Sequence, residues 1–295
     1  MFKGRATTTL VAWAFLAPAL LYVLAIVAWP LVQTVILSFT NASLRKTTDW
    51  VGWANYEKIF NPTFATVIGR TFVWTFFSVS LKMLLGTLGA VLLNAMVPGR
   101  HLFRMLIMPP WIVPMAIGIF MWGWMYNGQF GMISGLLQRF GIVDGPVAWL
   151  AYGSTAFWAT IITDTWIGVP LVTIYFLAAI QAIPKDLYEA AWVDGAGRWY
   201  RFRRITFPLM VPAIITMSML SLIATFNSFD IIWILTQGGP NGQTTTMIID
   251  TYSTAIASKK YGEGAARAVL ICIFLSLFCL AYFRVTRRIQ PEAVK

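Results

Sequence analysis

Long uncharged stretches alternate along this chain with short segments that collect most of its charge. Six stretches reach the roughly 20 mostly apolar residues that a membrane-crossing helix needs. They are about 10–37, 69–95, 103–126, 155–182, 206–229 and 265–286. The last holds 16 uncharged residues between Arg267 and Arg284, whose side chains can snorkel to the two interfaces. A seventh stretch, Ile231 to Ile249, is uncharged too, but G-G-P-N-G-Q interrupts it after seven residues, so it reads as a loop with a short helix after it. Lys3 and Arg5 precede the first stretch in the manner of a secretory leader. That stretch stays uncharged from Ala6 to Leu44, far beyond the usual apolar region of about 7–15 residues, and no small-residue cleavage site interrupts it. It is expected to be a retained span. The pattern predicts an all-α polytopic membrane protein with six transmembrane helices in a single domain over 1–295.

Composition agrees. Only 11% of residues are charged and 58% are hydrophobic, with mean hydropathy +0.71, against about 25% charge in soluble domains. The polar sequence left over suffices for connecting loops and not for a sizeable soluble domain. The net charge of +11 could suggest nucleic acid, but the charges gather at the ends of apolar segments. No basic face alternates with stacking aromatics, so no nucleic-acid partner is expected and the bilayer is the expected environment. The 14 Trp suit interfacial belts. Cys272 and Cys279 lie seven apart in an apolar run and His101 is the only histidine, which leaves neither a disulfide framework nor a metal site.

Lys and Arg then set the orientation. The N-terminus, the second and fourth loops and the C-terminus share one side and hold 13 of them, against eight on the other side, with Lys82 inside a span. Both termini are therefore expected in the cytoplasm. The fourth loop, 185–204, joins them there with eight charges in 20 residues. Glycine at Gly195 and Gly197 suits the end of one helix and a tight turn into a second. Pro208 and Pro212 fall inside the fifth span, where neighbouring helices can re-satisfy the freed carbonyls.

Residue order in that loop carries a resemblance. E-A-A-x-x-D-G-A-x-x-x-x-x-F-x-x-I-x-x-P-x-x-x-P, from Glu189 to Pro212, is similar to the signature of permease subunits of bacterial ATP-binding-cassette importers. G-W-A-N-Y-E-K-I-F from Gly52, P-P-W-I-V-P from Pro109, W-G-W-M-Y-N-G-Q-F-G from Trp122, I-P-K-D-L-Y from Ile183 and L-T-Q-G-G-P from Leu235 resemble the maltose-type carbohydrate permeases, in order along nearly the whole chain. The resemblance implies the type I importer fold and a location in the bacterial inner membrane. It implies a second homologous permease, two copies of a cytoplasmic ATPase and a periplasmic binding protein as partners.

It also implies that 185–204 is a coupling helix docking on the ATPase, with Glu189, Ala190, Ala191, Asp194, Gly195 and Ala196 as the docking residues. Small side chains there let a partner approach, and Glu189 and Asp194 offer charged hydrogen bonds. The arginines from Arg198 to Arg204 fit lipid headgroups and an ATPase surface equally well. No G-x-x-x-x-G-K-[ST] occurs, so no cofactor is expected on this chain, and ATP with Mg belongs to the partner ATPase. The chain itself is not expected to be an enzyme.

Two surfaces are candidates for the solute pathway. Asp164, in I-T-D-T-W-I-G-V-P, is a carboxylate inside the fourth span, expected either to face a water-filled pathway or to pair with Lys82 or an arginine of the second permease. Ser221, Thr225 and Ser228 recur on one face of the fifth span, with Asn227 and Asp230 beyond. They line a pathway, bond their own i−4 carbonyls or glue helices together. The resemblance points to Asp164, Gly168 and Leu171, and to Ser221, Ala224, Thr225 and Ser228. Leu171 and Ala224 replace larger side chains and Asp164 stands where an amide is expected, which implies a different and smaller ligand. Trp166 is a candidate aromatic platform. Tyr56–Phe64 and Gly238–Thr246 are expected to meet the binding protein or to pack as ordinary loops.

The leading expectation is one permease of an importer for a sugar or similar polar solute. The competing expectation is an ion-driven secondary transporter with Asp164 as its ion site, and a membrane-embedded enzyme lacks a clustered nucleophile and base.

Overall fold

The computed structural model describes residues 3–44, 48–95 and 100–289. Of the charges that set the expected orientation, Arg45, Lys46 and Lys295 lie outside the described residues. Among those residues the fold is helical, with one isolated bridge between Thr40 and Trp50 and no strand. The helices are α1 (Lys3–Val23), α2 (Trp29–Ser38), α3 (Ala54–Ile59), α4 (Pro62–Asn94), α5 (Arg100–Ile107), α6 (Pro109–Ile112), α7 (Met115–Met125), α8 (Met132–Arg139), α9 (Gly153–Gln181) and α10 (Lys185–Val193). They continue as α11 (Arg198–Arg201), α12 (Phe207–Phe226), α13 (Asp230–Thr236), α14 (Met247–Tyr252) and α15 (Tyr261–Ile289).

Five segments are long and apolar enough to cross a bilayer: Val11–Ser38, Pro62–Asn94, Gly153–Gln181, Arg198–Phe226 and Tyr261–Arg284. The predicted third span, 103–126, is instead built from α5, α6 and α7. Proline explains the breaks. Val113 is extended at φ −64°, ψ 135° ahead of Pro114, as crowding by a proline ring requires of the residue before it. Pro109 and Pro110 open the short α6 at positions where a missing N–H costs nothing. The segment 231–249 holds a short helix on each side of the G-G-P loop, α13 before it as well as α14 after it.

Two spans are wound through a π-helical turn, at Leu24–Ala28 and at Phe202–Thr206. Each turn ends two residues before a proline, Pro30 and Pro208. A proline gives no N–H to the carbonyl four residues back, and a slipped turn redistributes the bonds around that gap.

The chain divides into two compact units, Met1–Phe64 with Asp250–Phe274, and Ala65–Ile249 with Leu275–Lys295. In the first, α3 closes the end of α2. Asn55 Nδ2 donates to the Ser38 and Thr40 carbonyls, both at 2.8 Å, and the Tyr56 hydroxyl donates to Ser38 Oγ at 2.8 Å. Arg267 Nε donates to Asp250 Oδ2 at 2.6 Å. Asn55, Tyr56, Ile59 and Phe64 are thus buried packing residues, while Glu57, Phe60 and Asn61 stay exposed.

In the second unit α4, α9 and α12 share a core of Ala90, Leu93, Val172, Phe176, Ile180, Met210 and Met217. Gly86 and Gly89 on α4 face Val172 and Thr173 so closely that a Cβ on either would strike them. The three helices therefore meet at small-residue distances, as helices in lipid do.

Candidate functional site

Beyond that apolar core, the same three helices also share a polar contact. Asp164 of α9 is 5% exposed and Lys82 of α4 is 7% exposed. Lys82 Nζ stands 2.6 Å from Asp164 Oδ2 and donates to Thr225 Oγ1 of α12 at 3.0 Å. The first contact has the distance of an ion pair without the alignment of a hydrogen bond. One ammonium thus joins three spans. A charge at this depth is costly alone, and the pairing within the chain neutralises both groups without a partner subunit.

A row of buried hydroxyls runs beside the pair. Thr75 and Ser78 share a face of α4 with Lys82 and are 5% and 0% exposed, with no hydrogen-bond partner for either hydroxyl. On α9, Thr160 Oγ1 accepts from Trp74 Nε1 at 3.2 Å, and Thr163 and Thr165 bond back to Ala159 and Ile161. Thr75 and Ser78 were not among the expected site residues. Their signal was in the sequence, as the T-x-x-S-x-x-x-K spacing that puts all three side chains on one helical face.

Of the expected pathway residues, the fold brings Asp164, Gly168 and Thr225 together around Lys82. A Cβ at Gly168 would lie 2.6 Å from Lys82 Cε and 2.8 Å from Cδ, so Gly168 is the seat of the lysine stem. Ser221 is buried on the same face as Thr225. The common face of Ser221 and Thr225 is therefore present, and it turns into the interior of the chain. The exposed stripe of α12 runs instead through Leu209, Pro212, Thr216, Leu220 and Ala224, with Asn227 just past its end.

The others stand apart. The Asn227 amide is exposed and donates to the Ile223 carbonyl at 3.0 Å, and Ser228 is half-buried. Leu171 is exposed on α9. Trp166 lies edge-on to Trp122 at 5.8 Å, and the two line an apolar cavity of about 470 Å³ with Leu81, Pro110 and Val169.

The fourth loop forms a second site. Glu189, Ala190, Asp194 and Gly195 are exposed, and Ala191 and Ala196 are half-buried. α10 ends as its sequence predicts: Gly195 takes φ +76°, its N–H donates to the Trp192 carbonyl at 3.0 Å, and Ala196 N–H donates to the Ala191 carbonyl at 2.9 Å. This is the pairing of the glycine-terminated helix end. Leu187, Trp192, Val193 and Trp199 are exposed beside it, apolar side chains among the charged residues of the loop. The second helix of the loop, α11, is continuous with the fifth span through the π turn. In the G-G-P loop, Thr244 and Thr246 are buried, Asn241 and Gln243 are exposed, and Arg70 Nη1 donates to the Gly242 carbonyl at 2.7 Å.

Residues 8–295 match the family described as "Binding-protein-dependent transport system inner membrane component". The chain is similar to a "Probable ABC transporter permease protein" of Brucella suis, 34% identical over 280 residues, covering 93% of this chain and 96% of that one. It is also similar to the trehalose/maltose transport system permease protein MalF of Thermococcus litoralis, 35% identical over 282 residues and 93% of each. In fold it resembles a chain in the crystal structure of a bacterial alginate ABC transporter in complex with alginate pentasaccharide-bound periplasmic protein, with a TM-score of 0.85, 20% identity and 98% of each chain covered.

Proposed function

The chain belongs to the binding-protein-dependent transport system inner membrane component family, and from that premise we propose that it moves a sugar or sugar-like polar solute, received from a periplasmic binding protein, into the cytoplasm. The family is binding-protein-dependent and a relative matched over 93% of the chain is named an ABC transporter permease, which sets aside an ion-driven secondary transporter with Asp164 as its ion site. The working assembly in this reading holds a second homologous permease and two copies of a cytoplasmic ATPase that carry ATP and Mg. Both termini and the loop 185–204 face the cytoplasm.

One observation carries the reading. The helix from Lys185 to Val193 is exposed at Glu189, Trp192 and Val193, is closed by Gly195 at φ +76°, and joins the fifth span within a few residues. That is the form of a lever whose outer end awaits a partner. The ATPase is that partner in our reading, and Glu189, Ala190, Ala191, Asp194, Gly195 and Ala196 are the docking residues.

The solute reading rests on charge. Asp164 is buried and matched by Lys82 within the chain, so the pair offers no net charge to a solute, which suits a neutral polyhydroxylated one. A relative 35% identical is named for trehalose and maltose transport, which supports the same class. Co-purification of the ATPase and solute uptake should both be lost in Glu189→Lys, while the variant still reaches the membrane; retention of both would sink the docking assignment. A thermal-shift panel of sugars on the partner binding protein would test the solute class, and stabilisation by none of them would sink it.

A further inference from the structure

α4 ends at Asn94, α9 ends at Gln181 and the fifth span begins at Arg198. Their ends enclose a cavity of about 570 Å³ lined by Val91, Asn94, Ile180, Tyr188, Arg198, Arg201 and Thr206 among others. Arg198 and Arg201 are three residues apart, so they share a helical face, and both line it. The Tyr188 and Thr206 hydroxyls lie 2.9 Å apart on its wall. No carboxylate belongs to the lining. The C-terminal ends of α4 and α9 would attract guanidinium groups, yet among the described residues neither arginine makes an ion pair or reaches a carbonyl. Arg198 is exposed and Arg201 half-buried where they border the cavity, while Arg203 and Arg204 are exposed and lie outside the lining.

We propose that this cavity binds a phosphate group, supplied by an anionic lipid headgroup or by free phosphate. Two guanidinium forks present donors matched to phosphate oxygens, the Asn94 amide and the one proton of the Tyr188–Thr206 pair not spent on the bond between them add neutral donors, and no carboxylate among the described residues of the lining offsets the charge. The cavity sits where three spans end, which is the level of headgroups. Placing it in the inner leaflet rests on the orientation proposed above. A phosphate held there bridges the foot of α4 to the coupling loop and the start of the fifth span, so it would stiffen the lever that connects the ATPase to the membrane helices.

The test uses the assembled transporter in nanodiscs of phosphatidylcholine with and without phosphatidylglycerol, extracted gently and examined by native mass spectrometry. Wild type should retain phosphatidylglycerol over phosphatidylcholine. Arg198→Gln with Arg201→Gln should retain about tenfold less, whereas Arg203→Gln with Arg204→Gln should match wild type. Arg198→Lys with Arg201→Lys, which keeps charge and loses the fork, should fall between and shows that loss in the glutamine pair is not misfolding.

A second arm adds inorganic phosphate to phosphatidylcholine nanodiscs at constant ionic strength and reads the melting temperature. Stabilisation there, with no retained phosphatidylglycerol, supports the site and assigns it to free phosphate. Absence of both retention and stabilisation overturns the proposal, and so does an equal loss in the Arg203 and Arg204 pair, which would mean diffuse surface charge. Loss of ATPase from the Arg198 and Arg201 pair with lipid retention unchanged overturns it too, in favour of protein contact. None of these readouts depends on which way the chain faces. An impermeant label on a cysteine at Trp192 in right-side-out and inverted vesicles tests the orientation separately.

Discussion

The Lys82 ammonium lies 2.6 Å from the Asp164 carboxylate, both groups buried inside the membrane-spanning region. Breaking a buried pair from one side leaves an uncompensated charge, at a cost of about 3–5 kcal/mol, whereas replacing both members with apolar groups is often neutral. Lys82→Met and Asp164→Leu should each strongly lower the melting temperature of the purified protein. The double variant should recover most of the loss. Thr225→Val, which removes only the hydroxyl bonded to Lys82, should cost about 1 kcal/mol. If the two single effects simply added in the double variant, the pair would not be coupled.

Gly168 carries the same network at one remove. Its missing Cβ is the space that the Lys82 stem occupies. Gly168→Ala must displace that stem and should cost about 1–3 kcal/mol, the range of an overpacked interior. In a Lys82→Ala background the obstacle is gone. The alanine at 168 should then cost little, and a thermal-unfolding cycle over the four proteins measures the difference. An equal cost in both backgrounds would place the strain elsewhere on α9.

These residues show what the sequence could and could not reveal. Five spans were legible because each is a long, mostly apolar run, and a helix in lipid needs nothing else to satisfy its backbone. The breaks in the third were also legible in principle, since Pro109, Pro110 and Pro114 fall within six residues, but hydropathy averages over them. The Gly195 helix end was readable because its physics is local: a left-handed residue closes two hydrogen bonds within six positions. The Asp164 partner is non-local. Lys82 could be named as one candidate, but choosing it over an arginine on another subunit required the packing of α4 against α9. Periodicity put Ser221 and Thr225 on one face without saying whether that face looks inward, because apolar side chains occupy the buried and the exposed stripes of α12 alike. No periodic signal separates its buried stripe from its exposed one.

The end of α10 offers a test of local strain. Gly195 holds φ +76°, and a side chain there would meet open space, so only conformation opposes substitution. Gly195→Ala should cost about 1–2 kcal/mol in the left-handed region, enough to fray the last turn that presents Ala191 and Asp194. Gly195→Asn should be milder, since asparagine tolerates that region. The expected order of solute-stimulated ATPase activity in the assembled transporter is glycine, asparagine, alanine, with melting temperature changing far less. Equal activity in all three would mean that the shape of this turn has no role in coupling.

The two faces of α12 separate candidate pathway residues by experiment. Ser221 and Thr225 are buried, whereas Ala224 and Asn227 are exposed. In the assembled transporter, single cysteines at 224 and 227 should react with a small water-soluble methanethiosulfonate if that stripe borders an aqueous path. Cysteines at 221 and 225 should react slowly, because local opening of a packed helix must come first. Saturating solute, delivered by its binding protein, should protect 224 and 227 and leave the slow pair unchanged. Rapid, solute-protected labelling at 221 and 225 with inert 224 and 227 would reverse the assignment and place the solute against the Lys82 side of the helix.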